Sequence, residues 1–221
     1  MTARFRYSSY AARRRRRRWR VVALLAALAV VAGVVWITAI GRAADTNARA
    51  SCPMPADARW QPLPYTGLDT VPPAPASTIR VRVLNAGAQR GLASLVGAQL
   101  QQLGFTLAAP PDNDPHYPRE DMHCMGQIRF GLDGEDAART LSLVVPCTQL
   151  VRDNRRDDTV DLALGTNLTG VAPSANAQRI LNQLAAWSRQ HPQPTGGPQS
   201  DGESGPHLAA GLLAGAHTSQ C

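Results

Sequence analysis

The residues best suited to chemistry are four cysteines, one crowded polar loop and one glycine-rich turn. Cys52, Cys124, Cys147 and Cys221 can form disulfides in an oxidising compartment, and four cysteines allow three complete pairings. Asp112, Asp114, His116, His123 and Cys124 fall within one short stretch. Such groups serve as metal ligands and as general acids or bases. Their spacing builds neither kind of site. Asp112-Asn113-Asp114-Pro115-His116-Tyr117 lacks the sixth-position glycine of a calcium-binding EF-hand loop. His123 and Cys124 are adjacent, too close for an ordinary zinc pair. The stretch reads as a proline-braced polar loop, and no metal is expected. Asn85-Ala86-Gly87-Ala88-Gln89-Arg90-Gly91 joins a strand to a helix, where free amides can hold an anion. Asn85, Gly87 and Gly91 are therefore candidate ligand-binding residues, with a plain tight turn as the other reading. No Gly-x-Ser-x-Gly or Walker sequence occurs, so no catalytic residue and no cofactor is assigned.

The elements that must position these residues begin at Thr78. Ile79, Val81 and Val83 alternate with Arg80 and Arg82, the pattern of a half-buried strand. Leu92, Leu95, Val96, Leu100 and Leu103 recur at helical spacing, and Gly104 supplies a stop. Residues 105–108 read as a second strand and Gln127–Phe130 as a third. Asp133 is placed to cap a helix carrying Ala137, Ala138, Leu141, Val144 and Val145, although Leu141–Val145 also fits a strand. Arg152–Asp158 reads as a charged loop. Thr159–Leu164 forms the fourth strand, and Ser174 caps a last helix with Ile180, Leu181, Leu184 and Trp187 on one face. The order β-α-β-β-α-β-α predicts an α/β (α+β) domain over residues 78–190, with helices packed on one sheet.

Flanking this domain are segments of other character. Val21–Ile40 is an uncharged run of twenty residues. As a helix it spans about 30 Å, the thickness of a bilayer's hydrocarbon core. All 23 basic residues are arginine, and nine lie within residues 1–20, including Arg13–Arg18. Dense positive charge beside such a helix stays cytoplasmic, which places everything after Gly41 outside. Ala48-Arg49-Ala50 resembles a signal cleavage site but lies well past the apolar run, so an uncleaved anchor in membrane lipid is expected. Beyond Val21, fourteen arginines face sixteen acids, a net charge of −2. That balance leaves no footprint for nucleic acid. The proline-rich residues 41–77 read as a linker and 191–221 as a disordered tail.

The topology favours one disulfide. A helix following a strand runs back along it, so Cys124, before the third strand, approaches Cys147, after the next helix. Cys124–Cys147 is the expected bridge. Cys52 can compete for either partner, and Cys221 can stay free or pair between chains.

Val81-Arg82-Val83-Leu84-Asn85-Ala86, then Gly91-Leu92-Ala93, then Leu103-Gly104-Phe105, resembles the opening of the LytR C-terminal domain. Val160-Asp161-Leu162-Ala163-Leu164-Gly165-Thr166-Asn167 is similar to its closing strand. The likeness covers Thr78 to Leu168. The phosphotransferase domain that commonly precedes this module in LytR-type proteins has no counterpart here, which carries no catalytic residue over. The whole arrangement resembles an actinobacterial family of envelope-integrity proteins. The resemblance implies a non-enzymatic envelope protein whose outer domain binds a cell-wall polymer or an envelope protein partner. An enzyme acting on lipid-linked glycan through Asp112–His123, and a transmembrane signalling protein, are the alternatives.

Overall fold

A computed structural model describes residues 19, 22–23, 25–38, 50–55, 58–191 and 206–217. The chain divides into two units, Met1–Asp45 and Thr46–Cys221. In the first, the described residues 22–23 and 25–38 are helical, and Val22, Leu25, Leu28, Val31, Val35 and Trp36 are exposed. Among the described residues no helix is long and apolar enough to cross a membrane. Most of the arginine-rich segment, and both ends of the apolar run, lie outside the described residues.

The second unit is built on one mixed sheet. Its strands are β1 (Gln61–Leu63), β2 (Arg80–Asn85), β3 (Thr106–Leu107), β4 (Asp112–Asn113), β5 (Gly126–Phe130), β6 (Gln149–Arg152) and β7 (Val160–Leu164). The helices are α1 (Leu92–Gln102), α2 (Glu135–Val144), α3 (Ala175–Gln190) and α4 (Ala210–His217). The strand order is β1-β6-β5-β7-β2-β3, with β4 also pairing with β2. β2 runs parallel to β3, β4 and β7, and β5 runs parallel to β6. β5 is antiparallel to β7, and β1 to β6.

Register lines up one apolar row across five strands: Leu63, Leu150, Ile128, Leu162 and Val83. With Val81, Val160 and Phe130 this row packs against Val96 and Leu100 of α1, Ala138 and Leu141 of α2, and Leu181 of α3. Each such side chain, once buried, contributes about 1.5–3 kcal/mol. The helical spacing of residues 92–103 and the alternation of β2 anticipate this face. The Leu141–Val145 ambiguity resolves as helix, because the Val145 amide still donates to the Leu141 carbonyl before Pro146 breaks the ladder.

Several expectations are corrected. Asp133 lies in a short 3-10 turn, and the residue preceding α2 is Gly134, with no side-chain cap. Gln149–Arg152, which lacks a clear alternation, is a strand because it is buried between β5 and β1. From residue 50 the supposed spacer packs onto the domain. Tyr65, Leu68, Ala74 and Ala76 are buried, the Thr140 hydroxyl donates to the Ala74 carbonyl, and Arg139 meets Asp69. Prolines prevented this stretch from reading as structure, yet an edge strand tolerates Pro62, and side-chain docking needs no regular backbone. The tail, expected to be loose, contains α4. Ala216 packs with Leu143, Ala177, Ile180 and Leu184, and Leu208, Leu212 and Leu213 pack against that cluster. Residues 192–205 and 218–221 lie outside the described residues.

Candidate binding face

Alternation along each strand sends a different set of residues to the opposite face of the sheet. One row there reads Pro62, Val151, Arg129, Asp161 and Arg82; the next reads Gln149, Gln127, Ala163, Leu84 and Asp112. Arg129, Gln127 and Asp161 are buried. Burying such groups is costly unless each finds a partner. The partners come from the polar loop and from residues 50–55 and 58–60, which lie against this face as a strap.

Asp114 supplies the first partner. One Arg129 Nη donates to Asp114 Oδ2 at 2.6 Å, with both side chains at or below 1% exposure. Arg129 Nε donates to Gln127 Oε1, and Gln127 Nε2 donates to Gln149 Oε1. The other Arg129 Nη is buried without a hydrogen-bond acceptor. The guanidinium instead lies over the Trp60 ring, 4.5 Å from its centroid, and 5.6 Å from that of Tyr117. Aromatic faces attract a cation there without accepting a conventional hydrogen bond. His116 meets Trp60 edge-on at 4.6 Å.

Tyr117 and a disulfide fasten the strap. The Tyr117 hydroxyl donates to the Pro53 carbonyl, and Cys52 is bonded to Cys124. The expected Cys124–Cys147 bridge is thus overturned. The two cysteines do precede adjacent parallel strands, since Gln127 pairs with Gln149. They lie on different sides of the sheet, however. Cys124 packs with Leu84, Ala86, Met122 and Ala163 under the strap, whereas the Cys147 backbone bonds to Tyr65 beside Arg139 of α2. Cys147 is in a disulfide of its own, and no described cysteine is free. Cys221 lies outside the described residues.

Next to this layer is an ion network. Asp161 accepts from Arg82 at 2.7 Å and from Arg155 at 2.7 Å, while Arg155 also bonds Asp153. Burial pushes the Asp161 carboxyl up, but the hydrogen bonds from Arg155 and Arg82 outweigh it and hold it below the usual carboxylate range. Burial opposes the Arg155 charge, yet bonds to Asp161 and Asp153 raise its pKa. Arg152 is tied to Glu135. The network fixes the turn between β6 and β7.

Two clefts flank this arrangement. One of about 450 Å³ is lined by Arg82, Leu84, Pro111, Asn113, His116 and Asp161, among others. The other, about 700 Å³, lies between strap residues 59–61 and residues 152–156, with Leu132 at its side. Both volumes fall in the range of small-molecule sites.

The residues of the candidate ligand turn have structural uses. Asn85 Nδ2 donates to the Gln89 carbonyl at 3.4 Å. A Cβ at Gly87 would meet the Gly165 and Thr166 backbone at 2.9 Å, and Gly91 has φ +77° before α1. Glycine is needed at the first for close approach and at the second for backbone conformation. The Asn85 Oδ1 is buried without a partner. The polar loop disperses its reactive groups. Asp112 pairs in β4, Asp114 is held by Arg129, and His123 is exposed. Among the described residues no group of three or more His, Cys, Asp or Glu is placed to hold a metal ion. Arg129, Asp161 and Arg155 organise the face but escaped the sequence reading. Their one signal was an alternation that places Arg129 and Asp161 opposite the apolar residues of their strands.

Comparison with known proteins agrees with this architecture. The LytR_C family model, described as LytR cell envelope-related transcriptional attenuator, matches residues 78–167. The cell envelope integrity protein Cei of Mycobacterium tuberculosis (strain ATCC 25618 / H37Rv) is 37% identical over 188 residues, covering 82% of this chain and 87% of that protein. The crystal structure of the soluble domain of a conserved hypothetical secreted protein from Mycobacterium marinum is similar at a TM-score of 0.59 and 37% identity. That match covers 73% of this chain and 97% of the other. The domain on residues 78–167 and the similarity extending well beyond it place this chain in the LytR_C family, alongside Cei.

Proposed function

We propose that this protein is a non-catalytic cell-envelope factor. Its domain lies outside the cytoplasm, is held by a membrane helix over residues 21–40, and binds an envelope component on the strap-covered face of the sheet. The observation that carries this reading is the Cys52–Cys124 bridge. It fastens the chain leading from the anchor across the domain and leaves an arginine-lined cleft beside it. A disulfide suits an oxidising compartment outside the cytoplasm, and the relative Cei is named for cell envelope integrity. Arg129, Asp161 and Arg155 are held in ion pairs, which gives the buried charges of this face a structural task.

Two measurements test the proposal. An alkaline phosphatase fused after residue 190 is expected to be active; activity only of a cytosolic reporter at that position would remove the topology. The full chain, used as bait on solubilised envelope, is expected to retain wall polymer or an envelope protein. Recovery of neither would overturn the binding role.

A further inference from the structure

The cleft beside the strap holds charge that the fold does not use. Four arginines and one aspartate line it: Arg59, Arg152, Arg155, Arg156 and Asp153. Arg155 is engaged by Asp153 and Asp161, and Arg152 by Glu135. Arg59 and Arg156 are exposed and meet no carboxylate among the described residues. The network occupies Asp153, Asp161 and Glu135 and holds the turn that carries Arg156. Two guanidinium groups of the lining are thus left without a carboxylate partner. Guanidinium forks match the geometry of carboxylate and phosphate oxygens.

The remaining lining narrows the ligand. Trp60, held by Arg129 beneath it, offers aromatic surface, and Leu132 is 69% exposed. Gln61 and Asn154 add amides able to donate to and accept from hydroxyls. Apolar surface, planar amides and two cations fit a sugar chain that carries anionic groups. We infer that the cleft between residues 59–61 and 152–156 binds an acidic glycan, with Arg59 and Arg156 holding its carboxylate or phosphate groups. This rests on the envelope-binding reading and names the ligand class of that face.

The test uses the full chain in nanodiscs of neutral phosphatidylcholine, with oligogalacturonate as the acidic probe and dextran as the neutral one. Oligogalacturonate is expected to bind, with affinity falling as salt rises and with inorganic phosphate competing. Dextran is expected not to bind. Arg59→Gln with Arg156→Gln should weaken binding at least tenfold, while Arg179→Gln on α3, which does not line the cleft, leaves it unchanged. Both cleft substitutions are at exposed positions, and an unaltered melting temperature confirms a folded variant. The salt dependence of the unmodified chain provides a second readout. Equal binding of dextran, binding insensitive to the double substitution, or no binding of the acidic probe would each overturn the inference. So would loss of binding when phosphatidylglycerol is added to the disc, which would assign the cleft to lipid headgroups. Retention of envelope material by a chain that ignores oligogalacturonate would sink this inference alone; failure of both captures would also remove the envelope-binding reading.

Discussion

On the helix-covered face, the row crossing the sheet is Leu63, Leu150, Ile128, Leu162 and Val83; one residue along the same strands, the other face carries Pro62, Val151, Arg129, Asp161 and Arg82. Both faces have buried residues, but they reach burial differently. The first needs only apolar side chains of suitable volume, so nearly any close-packed arrangement of helices satisfies it. The second needs a specific partner for each charge, and those partners come from other parts of the chain: Asp114 for Arg129, Arg82 for Asp161, Cys52 for Cys124. The comparison separates stability from specificity. An apolar face holds the domain together, and a paired polar face fixes where the strap and the β6–β7 turn sit.

Substitutions on the two faces sharpen that contrast. The largest losses, about 4 kcal/mol each, are expected from Phe130→Ala, which opens a cavity, and from Asp114→Ala, which leaves Arg129 buried and unpaired. Denaturant unfolding of the full chain measures both. Their rescue should differ. Asp114→Leu with Arg129→Met removes the unpaired charge and is expected to recover most of the stability. A double variant no better than Asp114→Ala would show that the face is not governed by charge pairing.

Removal of the Cys52–Cys124 bridge, by Cys52→Ser with Cys124→Ser, should cost about 3 kcal/mol. It should also make residues 50–60 sensitive to protease while the helix-covered face stays protected from hydrogen exchange. Uniform loss of protection would contradict an independently fastened strap. Ser174→Ala, which deletes the hydroxyl accepting the Ala177 amide, should cost about 1 kcal/mol.

Acid should act on the polar face through Asp161. The Asp161 carboxyl is held below its ordinary value, so its contribution is complete above about pH 3.9 and is lost as pH falls through the lower folded value. Stability measured against pH should therefore drop below pH 4 less steeply in Asp161→Asn than in the unmodified chain. Identical slopes would mean that Arg82 and Arg155 do not bias that titration.

Legibility of the sequence follows the same division. β2, α1, β5, α2, β7 and α3 were readable because their signals are local: a period of two or 3.6, the cap at Ser174, the stops at Gly104 and Pro146. β1 and β6 were not, because each is too short to show a period and exists only through its neighbours. α4 was hidden by the surrounding Gly- and Pro-rich composition, which outweighed a short run of leucines and alanines. At the candidate site the sequence named Asn85, Gly87 and Gly91, which make a turn, and overlooked Arg129, Asp161, Arg155 and Arg156.

By itself the sequence determined the helix-covered half of the domain and the likeness to the LytR C-terminal module, since both are written in residues close together along the chain. Only the tertiary structure decided that Cys124 bonds Cys52, that the proline-rich stretch lies on the sheet, and that Arg59 and Arg156 share one cleft. Each of these depends on which side of the sheet a side chain leaves from. That is a property of the assembled strand order rather than of any window of sequence.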